Sequence, residues 1–204
     1  PTRRSSDLSY SAFAGNPLFL DLDDLVERGW LTDLDRPAFD DHTVEYGRVR
    51  EFKEDQLEAA FETFRSEASE DERAAFEAFV DDAGEWLEEY ALYRALRSHF
   101  DGVSWLDWPE DAKMRDPDAL ASYREDLADT VEYHQFRQWL FDQQWNDLKA
   151  YANERGVGLV GDMPIYVDLD SADVWANPAI FKLDDDREPT HVSGVPPDEF
   201  ADDG

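Results

Sequence analysis

The 204-residue sequence predicts an α/β fold, on three observations. A helical pattern over about residues 127–155 stops at Gly156, a residue suited to a left-handed helix end. The apolar run 157–162 follows at once and has the length of a buried parallel strand. A second short apolar run, residues 18–22, lies near the other end, and strands interleaved with helices are the grammar of α/β proteins.

Taken in order, residues 11–17 are rich in turn formers and lead into Leu18, Phe19, Leu20 and Leu22, which read as a strand or strand-like segment. Residues 23–28 read as a short helix ending near Gly29, and residues 30–48 as loop. Phe52, Leu57, Phe61 and Phe64 recur at helical spacing, and Ala74, Phe76 and Phe79 resume it after a break near Ser69. A helix over 85–99 carries two apolar faces, Trp86, Tyr90 and Tyr93 on one and Leu92 and Leu96 on the other, so it packs on more than one side. Residues 105–109 form a structured loop whose indoles are too costly to leave in water. Asp116, Pro117 and Asp118 make a turn and a helix start, with Asp116 or Asp118 as cap. The long helix over 127–155 presents Phe141, Trp145, Leu148 and Ala152 as its stripe. Residues 181–183 and 190–192 flank an acidic turn and read as a small hairpin. No repeat or low-complexity linker divides the chain, which reads as one domain or part of a larger one.

Composition narrows the function classes. The net charge is −31, yet 7 Trp, 8 Tyr and 13 Phe supply the apolar surface that folding needs. So many carboxylates repel phosphate backbones and anionic headgroups, which excludes nucleic acid and membrane surfaces as partners. The only lysines are Lys53, Lys113, Lys149 and Lys182, an acidic bias that points to an extreme halophile. Absence of cysteine excludes disulfides and thiolate metal sites. With no apolar span and no secretory h-region, the cytoplasm is the expected location. Residues 1–8 are basic and lack apolar periodicity, so they read as a non-native leader.

Asp162 is the sharpest single residue. A carboxylate at the C-terminal tip of a buried strand is where a barrel enzyme places groups that touch substrate. It equally fits a structural aspartate accepting backbone N–H bonds in the turn before Met163 and Pro164. The acidic run 184–189 lacks the glycine and glutamate positions of a calcium loop. His42, His99, His134 and His191 show no paired metal spacing, and Asp168, Asp170 and Asp173 read as a solvated acidic turn.

The run from Gly161 to Asp198, with its Gly-Asp-Met-Pro-Ile-Tyr-Val, Asp-Val-Trp-Ala-Asn-Pro and Gly-Val-Pro-Pro-Asp motifs, resembles the amylomaltases, the 4-alpha-glucanotransferases of glycoside hydrolase family 77. Residues 11–17, Tyr90-Ala91-Leu92, Trp105, Trp108 and Gln138-Trp139-Leu140 extend that resemblance over nearly the whole chain after residue 8. It implies a partial (β/α)8 TIM barrel with a large helical insertion at about 50–125. The implied partners are α-1,4-glucans and maltooligosaccharides, with glucose or maltodextrin as acceptor and no cofactor.

The resemblance places Asp162 in a glucan-binding cleft. It also puts Asp198 and Phe200 on a loop overhanging the acceptor side, where an aromatic could lie against a glucose ring. It assigns Asp168, Asp170 and Asp173 to loop scaffolding. Three departures accompany it. Glu199 stands where the family usually has tyrosine. Ser5, Ser6 and Asp7 replace a Ser-Pro-Tyr whose tyrosine touches substrate, and Tyr10 is out of register with it. The family's nucleophilic aspartate, acid/base glutamate and sugar-gripping aspartate lie beyond a Gly-Gln-Trp-Gly motif that follows residue 204. A retaining pair of that kind sits roughly 5–5.5 Å apart. The resemblance therefore implies a fragment with one cleft wall, no catalytic residue and no turnover alone. The alternative is a non-catalytic acidic carbohydrate-binding or interaction domain.

Overall fold

The computed structural model describes residues 9–40, 42–162 and 167–191. Among these the chain is helical, with β pairing confined to one antiparallel bridge between Leu183 and Pro189. The expected leader over residues 1–8 lies outside the described residues.

The expected strand at 18–22 is instead a 3-10 turn, Pro17–Phe19, running into α1 (Leu22–Glu27). Side-chain caps decide this: Asn16 accepts from Leu18 N at 3.0 Å and Asp21 from Asp23 N at 3.0 Å, so both ends are held in helical turns. Helix α2 (Tyr46–Glu67) and α3 (Glu70–Ala83) are separated at Ser69, which forms a capping box with Glu72. Helix α4 (Glu85–His99) buries Leu87, Tyr90, Leu92, Tyr93 and Leu96, as a helix packed on more than one side must. A 3-10 turn at Trp105–Asp107 leads to α5 (Glu110–Met114) and α6 (Pro117–Asp126), the latter capped by the Asp116 carboxylate.

Helix α7 (Ala128–Glu154) is the spine of the molecule, and Gly156 at φ +75° ends it. Its buried residues lie between Tyr133 and Leu140. The expected stripe is uncovered further along, where Trp145 and Leu148 are exposed. The run 157–162 beyond it has no regular secondary structure and is open to solvent, with Val160 98% exposed. Burial of that run as a parallel strand is therefore absent from this structure.

Two apolar cores result. In the first, Trp30, Phe61, Phe64, Phe76, Phe136 and Trp139 pack around the first half of α7, with ring centroids 4.9 Å apart for Phe64 and Phe136. The second gathers Tyr93, Trp105 and Trp108 against Trp175 of α8 (Ala172–Ala176). The indoles are satisfied as their burial requires: Trp105 Nε1 donates to Leu169 O at 2.7 Å and Trp175 Nε1 to Ala112 O at 3.0 Å. The expected hairpin is a tight turn around the bridge. Asp184 Oδ1 accepts from Asp186 N at 3.0 Å and Glu188 N at 2.9 Å, so this acid stabilises its own turn. Among the described residues no helix is long and apolar enough to cross a membrane.

Candidate functional site

Two segments far apart in sequence, residues 9–16 and 167–177, meet over α4 and α7. Ser11 is buried, donating its hydroxyl to Asp173 Oδ1 at 3.2 Å, while Ala12 N donates to Asp173 Oδ2 at 2.7 Å. Ala172 N donates to Tyr10 O at 2.8 Å. The Tyr10 ring carries the guanidinium of Arg94 at 4.5 Å and that of Arg97 at 4.9 Å, a cation–π arrangement. Gly15 lies so close to α7 that a side chain there would enter the Phe141 ring.

Asp170 anchors the second segment. One carboxylate oxygen accepts from Tyr93 OH at 3.0 Å and Ser104 Oγ at 3.1 Å, and the other from Arg97 Nη1 at 2.6 Å. Burial pushes the Tyr93 phenol up from its ordinary value, and the charge of Asp170 adds to the shift, so the phenol remains a donor. Asp168 in turn accepts from Asp170 N at 3.0 Å. The solvated acidic turn expected from charge alone is thus replaced at Asp170 and Asp173 by anchored carboxylates. Their partners come from residues 11–12 and 93–105, which no local pattern reveals.

Anchoring of both segments holds the Phe13 ring, 68% exposed, against Trp86 with centroids 6.2 Å apart and planes 29° from parallel. The pair lines a shallow recess of about 140 Å³ with Glu85, Asp173 and Asn177 on its rim. A flat aromatic face beside carboxylate and amide groups can take the C–H face of a sugar ring while its hydroxyls find polar partners. Sequence reading missed Phe13 and Trp86; an aromatic inside the turn-rich stretch before Gly15 was the available signal.

Of the residues singled out in the sequence, Asp162 is exposed at the end of the run 157–162. Asp198 and Phe200 lie outside the described residues. No group of three or more His, Cys, Asp or Glu able to hold a metal occurs among the described residues.

A family model described as 4-alpha-glucanotransferase matches residues 7–204. A 4-alpha-glucanotransferase of Thermus thermophilus is 46% identical over 196 residues, covering 96% of this chain and 39% of the relative. One from Streptococcus pneumoniae is 46% identical over 198 residues, covering 95% and 39%. Among solved structures, an amylomaltase from Streptococcus agalactiae in complex with acarbose superposes with a TM-score of 0.88 at 36% identity, covering 96% of this chain and 40% of that one. The chain thus spans about two fifths of the length of the relatives it matches.

Proposed function

Since the chain belongs to the 4-alpha-glucanotransferase family, matched over residues 7–204, we propose that it forms the amino-terminal share of an enzyme that moves α-1,4-glucan segments between maltodextrins. The observation that carries this is identity of 46% sustained over 196 residues of a 4-alpha-glucanotransferase, together with the close likeness of fold to an acarbose-bound amylomaltase. The reaction breaks an α-1,4 bond, holds the glucosyl group on a carboxylate and passes it to the hydroxyl of glucose or maltodextrin. None of the carboxylates in this chain is assigned to that chemistry.

In this reading α2 to α6 are the helical insertion, and the run 157–162 after α7 is a strand of a (β/α)8 barrel completed by sequence beyond this chain. Asp162, Asp198 and Phe200 line the glucan cleft, and the Phe13–Trp86 recess extends its sugar-binding surface. The enzyme works in the cytoplasm of a halophile, which the acidic surface supports.

The test joins the chain to its native continuation and supplies maltotriose at high salt. Glucose and longer maltodextrins should appear, and the 204-residue chain alone should give neither. An extended protein that produces no disproportionation products contradicts the assignment.

A further inference from the structure

The basic residues of this chain are few, 19 Lys and Arg against 50 Asp and Glu, and among the described residues ten of them stand in ion pairs. Four of them converge on one hollow of about 310 Å³ between the residue 9–18 segment and helices α2, α4 and α7. These are Arg50, Lys53, Arg94 and Arg137, and among the described lining residues the carboxylate beside them is Glu54. Arg50 and Arg94 form no ion pair among the described residues.

Glu54 is engaged through one oxygen only. Its Oε1 accepts from Arg137 Nη1 at 2.8 Å and from Tyr133 OH at 3.0 Å. Arg137 is 5% exposed, and its Nε and that of Arg94 are buried without a hydrogen-bond partner among the described residues. Lys53 Nζ is turned onto the carbonyls of Leu18 at 2.8 Å and Leu20 at 2.6 Å. Behind the hollow lies buried His134, whose Nε2 also lacks a partner among the described residues. Burial first, and then the positive charges of Arg94 and Arg137, hold its imidazole well below the usual range, so it adds no further cation.

Positive charge crowded at the wall of a partly desolvated hollow is costly, and an anion seated there relieves that cost. A planar guanidinium fork matches a phosphate or other tetrahedral oxyanion with two parallel bonds. We propose that this hollow is a binding site for a phosphate dianion, free or carried on a hexose. Arg94 and Arg137 are its inner donors and Arg50 its outer one. The hollow is roomier than a phosphate needs, which leaves space for a hexose beside it.

Isothermal titration calorimetry at fixed ionic strength tests this with inorganic phosphate and glucose 6-phosphate as probes and glucose as the uncharged control. Saturable binding of at least one phosphate probe is expected, with none for glucose. Arg94→Gln and Arg50→Gln should each raise Kd about 10-fold or more, the loss of a charge-assisted contact. Equal affinity for the two probes identifies free oxyanion as the ligand; tighter glucose 6-phosphate identifies the sugar-borne one. Arg50 is exposed, so its variant keeps the test valid even where an Arg94 variant melts early. Absence of saturable binding by both probes, or an unchanged Kd in folded Arg50→Gln, overturns the proposal.

Discussion

The side-chain amide of Gln138 clamps the backbone of Gly15 from both sides, Oε1 accepting from Gly15 N at 2.8 Å and Nε2 donating to Gly15 O at 3.0 Å. Six residues further along α7, Gln144 does the same for Asp21, at 2.7 and 3.0 Å. Two glutamines therefore pin the two ends of the segment between them to the helix, each satisfying one backbone N–H and one carbonyl.

Close approach at Gly15 predicts a steric cost. Gly15→Ala pushes a methyl into the Phe141 ring and should lose about 1–3 kcal/mol in denaturant melts. Adding Phe141→Ala should return part of that loss, so the double variant is less destabilised than the two single changes combined. Strict additivity would contradict the contact.

Asp170→Ala removes the partner of Arg97 and one of the two acceptors of the buried Tyr93 phenol, leaving the Asp170 carbonyl at 2.9 Å. A loss of about 1–3 kcal/mol is expected. Hydrogen exchange should speed up first in residues 168–177, and exchange that stays slow there would refute the anchoring role.

His134 predicts a pH effect of defined sign. Its folded value is depressed well below 6.5 by burial and the neighbouring arginines, so the unfolded chain takes up a proton that the folded one refuses. This group contributes nothing above about pH 6.5 and destabilises progressively below it, by up to about 1.4 kcal/mol per pH unit. His134→Gln should flatten the fall in stability between pH 7 and 5 relative to wild type. The difference between the two proteins isolates this effect from protonation of surface carboxylates. Parallel curves would exclude it.

Salt should stabilise the chain. At −31 the surface acids repel one another, and at 1 M salt their interaction reaches only about 3 Å. The melting temperature should rise with KCl into the molar range, and a flat or falling curve would contradict this.

Much of the helical frame was legible in the sequence, because its signals are local. Ser69 announced the break between α2 and α3, Asp116 the start of α6, and Gly156 the end of α7. The two faces of α4 followed from spacing alone. Residues 18–22 were not legible as helical turns, since a short apolar run has no period to separate strand from turn, and the caps at Asn16 and Asp21 decided it. Along α7 the aromatic pattern continues through both halves, and only packing against the Trp30, Phe61 and Phe64 rings selects Phe136 and Trp139 for burial. The anchoring roles of Asp170 and Asp173 and the pairing of Phe13 with Trp86 depend on contacts between segments remote in sequence.

The Asp173 contacts to Ser11 and Ala12 span 162 and 161 positions of chain. Closing so long a loop costs about 4–5 kcal/mol in chain entropy, against contacts that close within a few turns of helix elsewhere. The helices should therefore condense early and this seam late, so the Phe13–Trp86 surface is completed in the last moments of folding and is the first to be lost when the chain begins to open.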